Sequence, residues 1–243
     1  VVKHDGLKKE ILDHLARLLK RTGELKVFLA FTQTNQTDTA GWTSGSRDAR
    51  ALAIVCTMAE LESLIKTCVQ RTHEDLNSAG IQTMDLIPSV RQVVAHTTFE
   101  SLRTLQDHSK MWDRRSFATT LETCSEVARF PIERSHPQPP LDGKTLKPEH
   151  FYRLWQIYQL PGDPFPNPRW PGSLQKLALA RNDLAHGNLP YHEIFQQAGR
   201  SISDIESYVS GVGDFASHFV DSWNQYLNEE SYLSKARGSE LSG

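Results

Sequence analysis

Three cysteines, Cys56, Cys68 and Cys124, are all that the 243 residues contain, and no two stand in a C-x2-C spacing. So odd and scattered a set builds neither a disulfide framework nor a zinc site, and it fits a reducing cytoplasm. Long apolar runs are also missing. None approaches the roughly 18 residues needed to cross a bilayer, and the opening VVKHDGLKKE is too charged for a secretory signal. The expectation is a cytoplasmic protein with no membrane partner. A chain that starts at Val1 and ends in GSELSG reads as a trimmed piece of sequence, so neither tip carries weight. Neither sign of charge dominates: 27 Lys and Arg against 29 Asp and Glu leave a formal net charge of -2. That balance excludes a generally basic, nucleic-acid-coating surface but leaves room for a local basic cleft. A glycine-rich phosphate loop is absent, which leaves nucleotide or kinase chemistry unsupported. Carboxylates with metal-ligand spacing are absent too, so no metal and no cofactor is expected. Neither repeats nor strand-like alternation are found.

Helical periodicity is what remains. With 38% hydrophobic and 23% charged residues, the chain is ordinary for a globular protein and long enough to bury a core. Leu7, Ile11, Leu15, Leu18 and Leu19 predict an amphipathic helix over Asp5–Arg21, its basic face solvated or touching RNA. Glu24–Phe31 is a short apolar run that fits helix or strand, and Thr32–Ser46 reads as a loop. Asp48–Gln70 is apolar around its whole circumference, as a central helix packed on several sides must be. A turn near Asn77–Gly80 leads to a long helix over Ser89–Lys110 and another over Ser116–Arg129, with Phe117, Leu121 and Val127 inward. Beside it, Trp112 with Arg114 and Arg115 is either ordinary surface or a basic-aromatic RNA contact. Ten of the twelve prolines lie between Pro131 and Pro171, so that interval is a connection interrupted by one short helix, Pro148–Tyr158, whose rings belong to the core. Ile202, Ile205, Val209, Val212, Ala216, Phe219, Trp223 and Tyr226 mark a long closing helix. Inside it Gly211 and Gly213 suggest a kink or a close helix approach. The expected architecture is all-α, divided into an appendage (1–47), a helical domain (48–228) and a tail (229–243).

Chemistry concentrates in Leu174–Gly187, LQKLALARNDLAHG. Leu174, Leu177, Ala178, Leu184 and Ala185 form one stripe with Arg181 in its middle, and Ser173 is available as N-cap. A guanidinium there needs a partner or a ligand. Glu62, on the stripe of Leu52, Val55 and Ala59, is one candidate and Glu60 another; the alternative for both is solvent. Asn182 and His186, four residues apart, share a face, and His186 ends the helix before Gly187 and Pro190. Arg181 and His186 point about 140° apart on an ideal helix.

RNDLAHG resembles the R-N-x-x-x-H signature of HEPN-superfamily ribonucleases, and the order of weaker strings resembles the RiboL-PSP-type branch. Those strings are A-E-L-E at Ala59–Glu62, a helical insertion, D-G-K-x-L at Asp142–Leu146, a short aromatic helix and then the motif. The likeness spans about Asp48 to Asn228. It implies an antiparallel HEPN-like bundle. It also implies a metal-independent endoribonuclease of toxin or anti-phage type, in which His186 moves protons, Arg181 stabilises phosphate charge and Asn182 positions them. Glu60, Glu62 and Asp183 would support the three. A single histidine per chain implies a homodimer with paired motifs, and toxin-like action implies an inhibitory antitoxin or defence-system partner. The competing reading is a non-catalytic RNA-binding or protein-interaction module, since fold alone never establishes activity.

Overall fold

The computed structural model describes residues 4–34, 40–102, 105–132, 138–187 and 189–234. Among these, helices dominate and β structure is confined to two isolated bridges, Gln82 to Val127 and Leu86 to Leu233. The first helix, α1 (Asp5–Thr34), runs through both the expected amphipathic helix and the apolar run that follows it. Its inward positions Ile11, Leu15, Leu18, Thr22, Leu25, Leu29 and Thr32 follow steps of four and three, which is the repeat of one helical stripe. Two of them are threonines, which interrupt the apolar pattern. Each spends its hydroxyl on its own helix, Thr22 on the Leu19 carbonyl at 3.0 Å and Thr32 on that of Leu29 at 2.8 Å, and can therefore be buried without an unmet donor.

The next helix, α2 (Ala40–Ala79), extends the expected central helix at both ends. Of the loop expected over Thr32–Ser46, 32–34 and 40–46 are helical, and 35–39 lie outside the described residues. The all-round packing expected of it is not seen in α2: Ile54, Met58, Leu61, Ile65, Cys68 and Val69 share one buried face, and Leu52 and Val55 on the other side are exposed. The long helix expected over Ser89–Lys110 is instead α3 (Pro88–Val94), α4 (His96–Leu102) and α5 (His108–Thr120). Val90 and Val93 reach the core but no residue of α4 does, so nothing rewards a continuous rod. The helix expected over Ser116–Arg129 stops at Thr120. Beyond it the backbone pairs with the stretch after α2, Met84 N–H with Cys124 O and Ala128 N–H with Ile81 O. Phe117 and Val127 are consequently exposed, and only Leu121 turns inward.

In the proline-rich connection, of which 133–137 lie outside the described residues, α6 (Pro148–Tyr158) forms as expected. Its rings pack edge to face on the closing helix, Phe151 on Phe215 at 4.6 Å and Tyr158 on Trp223 at 4.9 Å between centroids. The motif helix α7 (Trp170–His186) starts three residues earlier than Ser173. Pro171, whose fixed φ suits a first turn, moves the start forward, and the Ser173 hydroxyl donates to the Arg169 carbonyl instead of capping. A short α8 (Tyr191–Ile194) precedes α9 (Ile202–Asn228).

One buried cluster runs from Leu7 in α1 to Tyr232 after α9, with α1 packed against α2 and α9 as part of the same core. Tyr232, expected in a tail, is fully buried, and its carbonyl accepts from the Ile87 N–H; 235–243 lie outside the described residues. The close approach expected at Gly211 is real. A methyl there would come within 2.9 Å of Ser173 Oγ, so the glycine lets α9 lie against the start of α7.

Candidate active site

Helix α7 presents its motif at a cleft of about 560 Å³. From α7 come Arg181, Asn182 and His186, and the opposite wall is the Asp142–Lys147 loop with the first turns of α6. Leu174, Leu177 and Ala178 are buried, whereas Leu184 is partly covered and Ala185 is exposed. The apolar stripe therefore fades toward the end of α7, and Arg181, Asn182 and His186 occupy the part that leaves the core. Gly187 closes the helix in the left-handed region at φ 61°, its N–H bonded to the Asp183 carbonyl. His186 is exposed on that last turn. Although Arg181 and His186 point apart on an ideal helix, both line the cleft.

Each motif residue has a distinct setting. Asn182 Oδ1 accepts from the buried Thr145 hydroxyl at 2.7 Å, which leaves the amide hydrogens to address a ligand. Thr145→Val should free that amide to turn. The melting temperature should change little, and Thr145→Ser should keep the amide in place.

Arg181 is half-buried, and its charge acts on Glu62 of α2. Burial pushes the Glu62 carboxyl up, against the opposing pull of Arg181 and of the Leu146 N–H. Its Oε1 is buried without a hydrogen-bond partner. The stripe on which Glu62 was placed is otherwise outward, since Leu52, Val55 and Ala59 are exposed; the Leu141–Leu146 loop covers the glutamate. A carboxyl raised by folding costs stability at any pH above its unfolded value, and the cost grows until pH passes the raised folded value. Glu62→Gln should therefore melt higher than wild type at pH 7, the gain shrinking as pH falls toward 4.5, the ordinary glutamate value, and vanishing below it. Denaturant melts at several pH values measure it.

Glu62 itself lines a neighbouring cavity and not the cleft, and the other two expected supports are not brought to the cleft either. Glu60 pairs with Arg17 of α1 at 3.4 Å, because two residues along a helix is a turn of about 200°. Asp183 holds Arg200 at 2.6 Å, and the Arg200 guanidinium also donates to the Ile194 carbonyl at 3.1 Å. That pair ties the segment after His186 back onto α7.

Several cleft residues carry no signal in the sequence. The buried His150 accepts the Lys147 N–H at Nδ1, 3.0 Å away, and its Nε2 faces Asp142 Oδ1 at 3.1 Å. The tautomer that satisfies both carries its hydrogen on Nε2. Burial pushes the Asp142 carboxyl up, but the Lys144 N–H, His150 and Arg153 outweigh it and hold it below the usual carboxylate range. Four cations line the cleft, Lys144, Lys147, Arg153 and Arg181, against the carboxylates Asp142 and Glu149. A chain of net charge -2 thus carries a locally cationic cleft, where a concave wall focuses the field. Away from it, the Arg115 guanidinium lies 5.0 Å from the ring centre of Trp112, which is 63% exposed.

Among the described residues no group of three or more His, Cys, Asp or Glu side chains is arranged to hold a metal ion, and no helix is long and apolar enough to cross a membrane. The family model RiboL-PSP-HEPN matches residues 16–228. Neither curated proteins nor solved structures give a match.

Proposed function

The chain belongs to the RiboL-PSP-HEPN family, a HEPN-superfamily domain, and we propose that it is a metal-independent endoribonuclease of the toxin or anti-phage defence type. The observation that carries this reading is the meeting of Arg181, Asn182 and His186 at one locally cationic cleft. His186 takes the proton of a ribose 2′-OH, and the oxygen attacks the adjacent phosphorus in line. The bond to the 5′ oxygen breaks, and a proton returns to that leaving oxygen. Histidine suits proton transfer near neutral pH, while Arg181 cannot act as a base and instead stabilises the charge growing on the phosphate oxygens. The amide hydrogens of Asn182 orient the same phosphate.

One imidazole must otherwise serve as both base and acid. A homodimer, with the ends of two α7 helices about a two-fold axis, supplies a second histidine; a strictly monomeric protein that cuts RNA would contradict this arrangement. An inhibitory antitoxin or defence-system partner would restrain the activity in the cell.

RNA incubated with the protein in excess chelator tests the proposal. Wild type should cut, and Arg181→Ala should cut roughly a hundredfold to a thousandfold more slowly, the loss expected when a donor to a developing oxyanion is removed. Equal, low cleavage by both proteins would overturn the ribonuclease and leave a non-catalytic RNA-binding or protein-interaction module.

A further inference from the structure

We infer that the cleft wall opposite α7 is a subsite for the phosphodiesters flanking the cut in a single-stranded RNA, with Lys144, Lys147 and Arg153 as its cations. The identity of the strand rests on the ribonuclease reading; the subsite itself rests on charge and geometry. Arg181 and His186 suffice for the one phosphate that reacts, and the remaining cations have no part in that chemistry. A volume of about 560 Å³ is in the range of sites that enclose a whole drug-sized ligand, far more than one phosphate fills. Of the carboxylates present, Asp142 is already engaged by His150 at 3.1 Å and Arg153 at 3.9 Å. Lys144 and Lys147 take part in no ion pair among the described residues, so their charge faces whatever enters.

The loop that carries these lysines is braced. The Lys144 N–H donates to Asp142 Oδ1 at 3.1 Å, the Lys147 N–H donates to His150 Nδ1, and Thr145 is bonded to Asn182 across the cleft. His150, 4% exposed, is the positioning residue: both ring nitrogens are taken, which fixes the loop to α6 and removes the ring from proton transfer. Lysines on a braced loop, with no acid partner and across a cleft from an arginine, suit a chain of phosphates better than a single anion.

Binding can be read without cleavage in a His186→Ala background. With a five-nucleotide single-stranded RNA as probe, the added pair Lys144→Ala and Lys147→Ala should weaken binding roughly tenfold. The slope of log affinity against log salt should flatten by about 0.7 for each phosphate that is no longer neutralised. Arginine at both positions should restore affinity and slope. Unchanged affinity and slope in the alanine pair would overturn the subsite. So would inorganic phosphate that competes as well as the oligonucleotide at equal phosphate concentration, because the site would then hold a free anion only. The two readings fail separately: a flattened slope in a protein whose wild type never cuts RNA keeps the subsite and removes the nuclease, and an unchanged slope in one that cuts does the reverse.

Discussion

His186→Ala is expected to lower RNA cleavage about a thousandfold, within the range that a positioned acid or base contributes, while the melting temperature shifts by little. The two halves of this expectation come from one location. His186 is exposed on the last turn of α7, so truncation opens no cavity. Its structural contribution is limited to that of an exposed side chain on the last turn of a helix. The turn itself is held by Gly187, whose N–H bonds to the Asp183 carbonyl whatever residue precedes it. A large activity loss with an intact fold would therefore report chemistry. Melting curves and initial rates on the same preparation check both halves.

Arg200→Met should destabilise the protein by roughly 2–3 kcal/mol, the scale of a buried charged hydrogen bond broken on one side. Arg200 is 8% exposed and satisfies two acceptors at once, the Asp183 carboxylate at 2.6 Å and the Ile194 carbonyl at 3.1 Å. Its own carbonyl accepts from Arg50 Nη1 at 2.6 Å. Methionine keeps much of the packing and removes every side-chain donor, leaving a carboxylate and a carbonyl short of partners. Asp183 retains some exposure to solvent, which places the loss below that of a fully dry pair. In a double-mutant cycle with Asp183→Ala the two losses should fall short of additivity, as expected for residues in one network. A loss under about 0.5 kcal/mol in urea melts, the size of an ordinary surface substitution, would mean the pair is ornamental. Cleavage should fall as well, because this bridge anchors the segment that follows His186.

The α7 half of the site is legible in the sequence because it is local: Arg181, Asn182 and His186 lie within six consecutive residues, and one helix presents them to one cleft. Its other half is not. His150 and Arg153 sit on a helix whose aromatic stripe, Phe151, Leu154, Trp155 and Tyr158, accounts for its burial, and nothing in that stripe says what the polar face meets. Beyond the D-G-K-x-L string at Asp142–Leu146, the available signal is the eight-residue step from Asp142 to His150, which becomes short in space because Pro148 starts α6 there. The choice between Glu60 and Glu62 is open to geometry, since residues two apart on a helix cannot share a direction. Helices α6 and α9 follow their periodicity because each has a continuous apolar face to bury. The stretch from Ser89 to Arg129 does not, because His96–Leu102 finds no core and the backbone after Thr120 finds another partner in Ile81–Met84. Helix α1 runs past the expected end at Arg21 because its buried threonines interrupt the apolar spacing without interrupting the packing.

The most direct test of the central claim is the chemistry of the cut ends. RNA cleaved in excess chelator should carry 2′,3′-cyclic phosphate on one fragment and 5′-hydroxyl on the other, the products of attack by the neighbouring 2′ oxygen, and an RNA with deoxyribose at the cut position should resist. Fragments ending in 3′-hydroxyl and 5′-phosphate, or equal cutting of the deoxy-substituted strand, would contradict it.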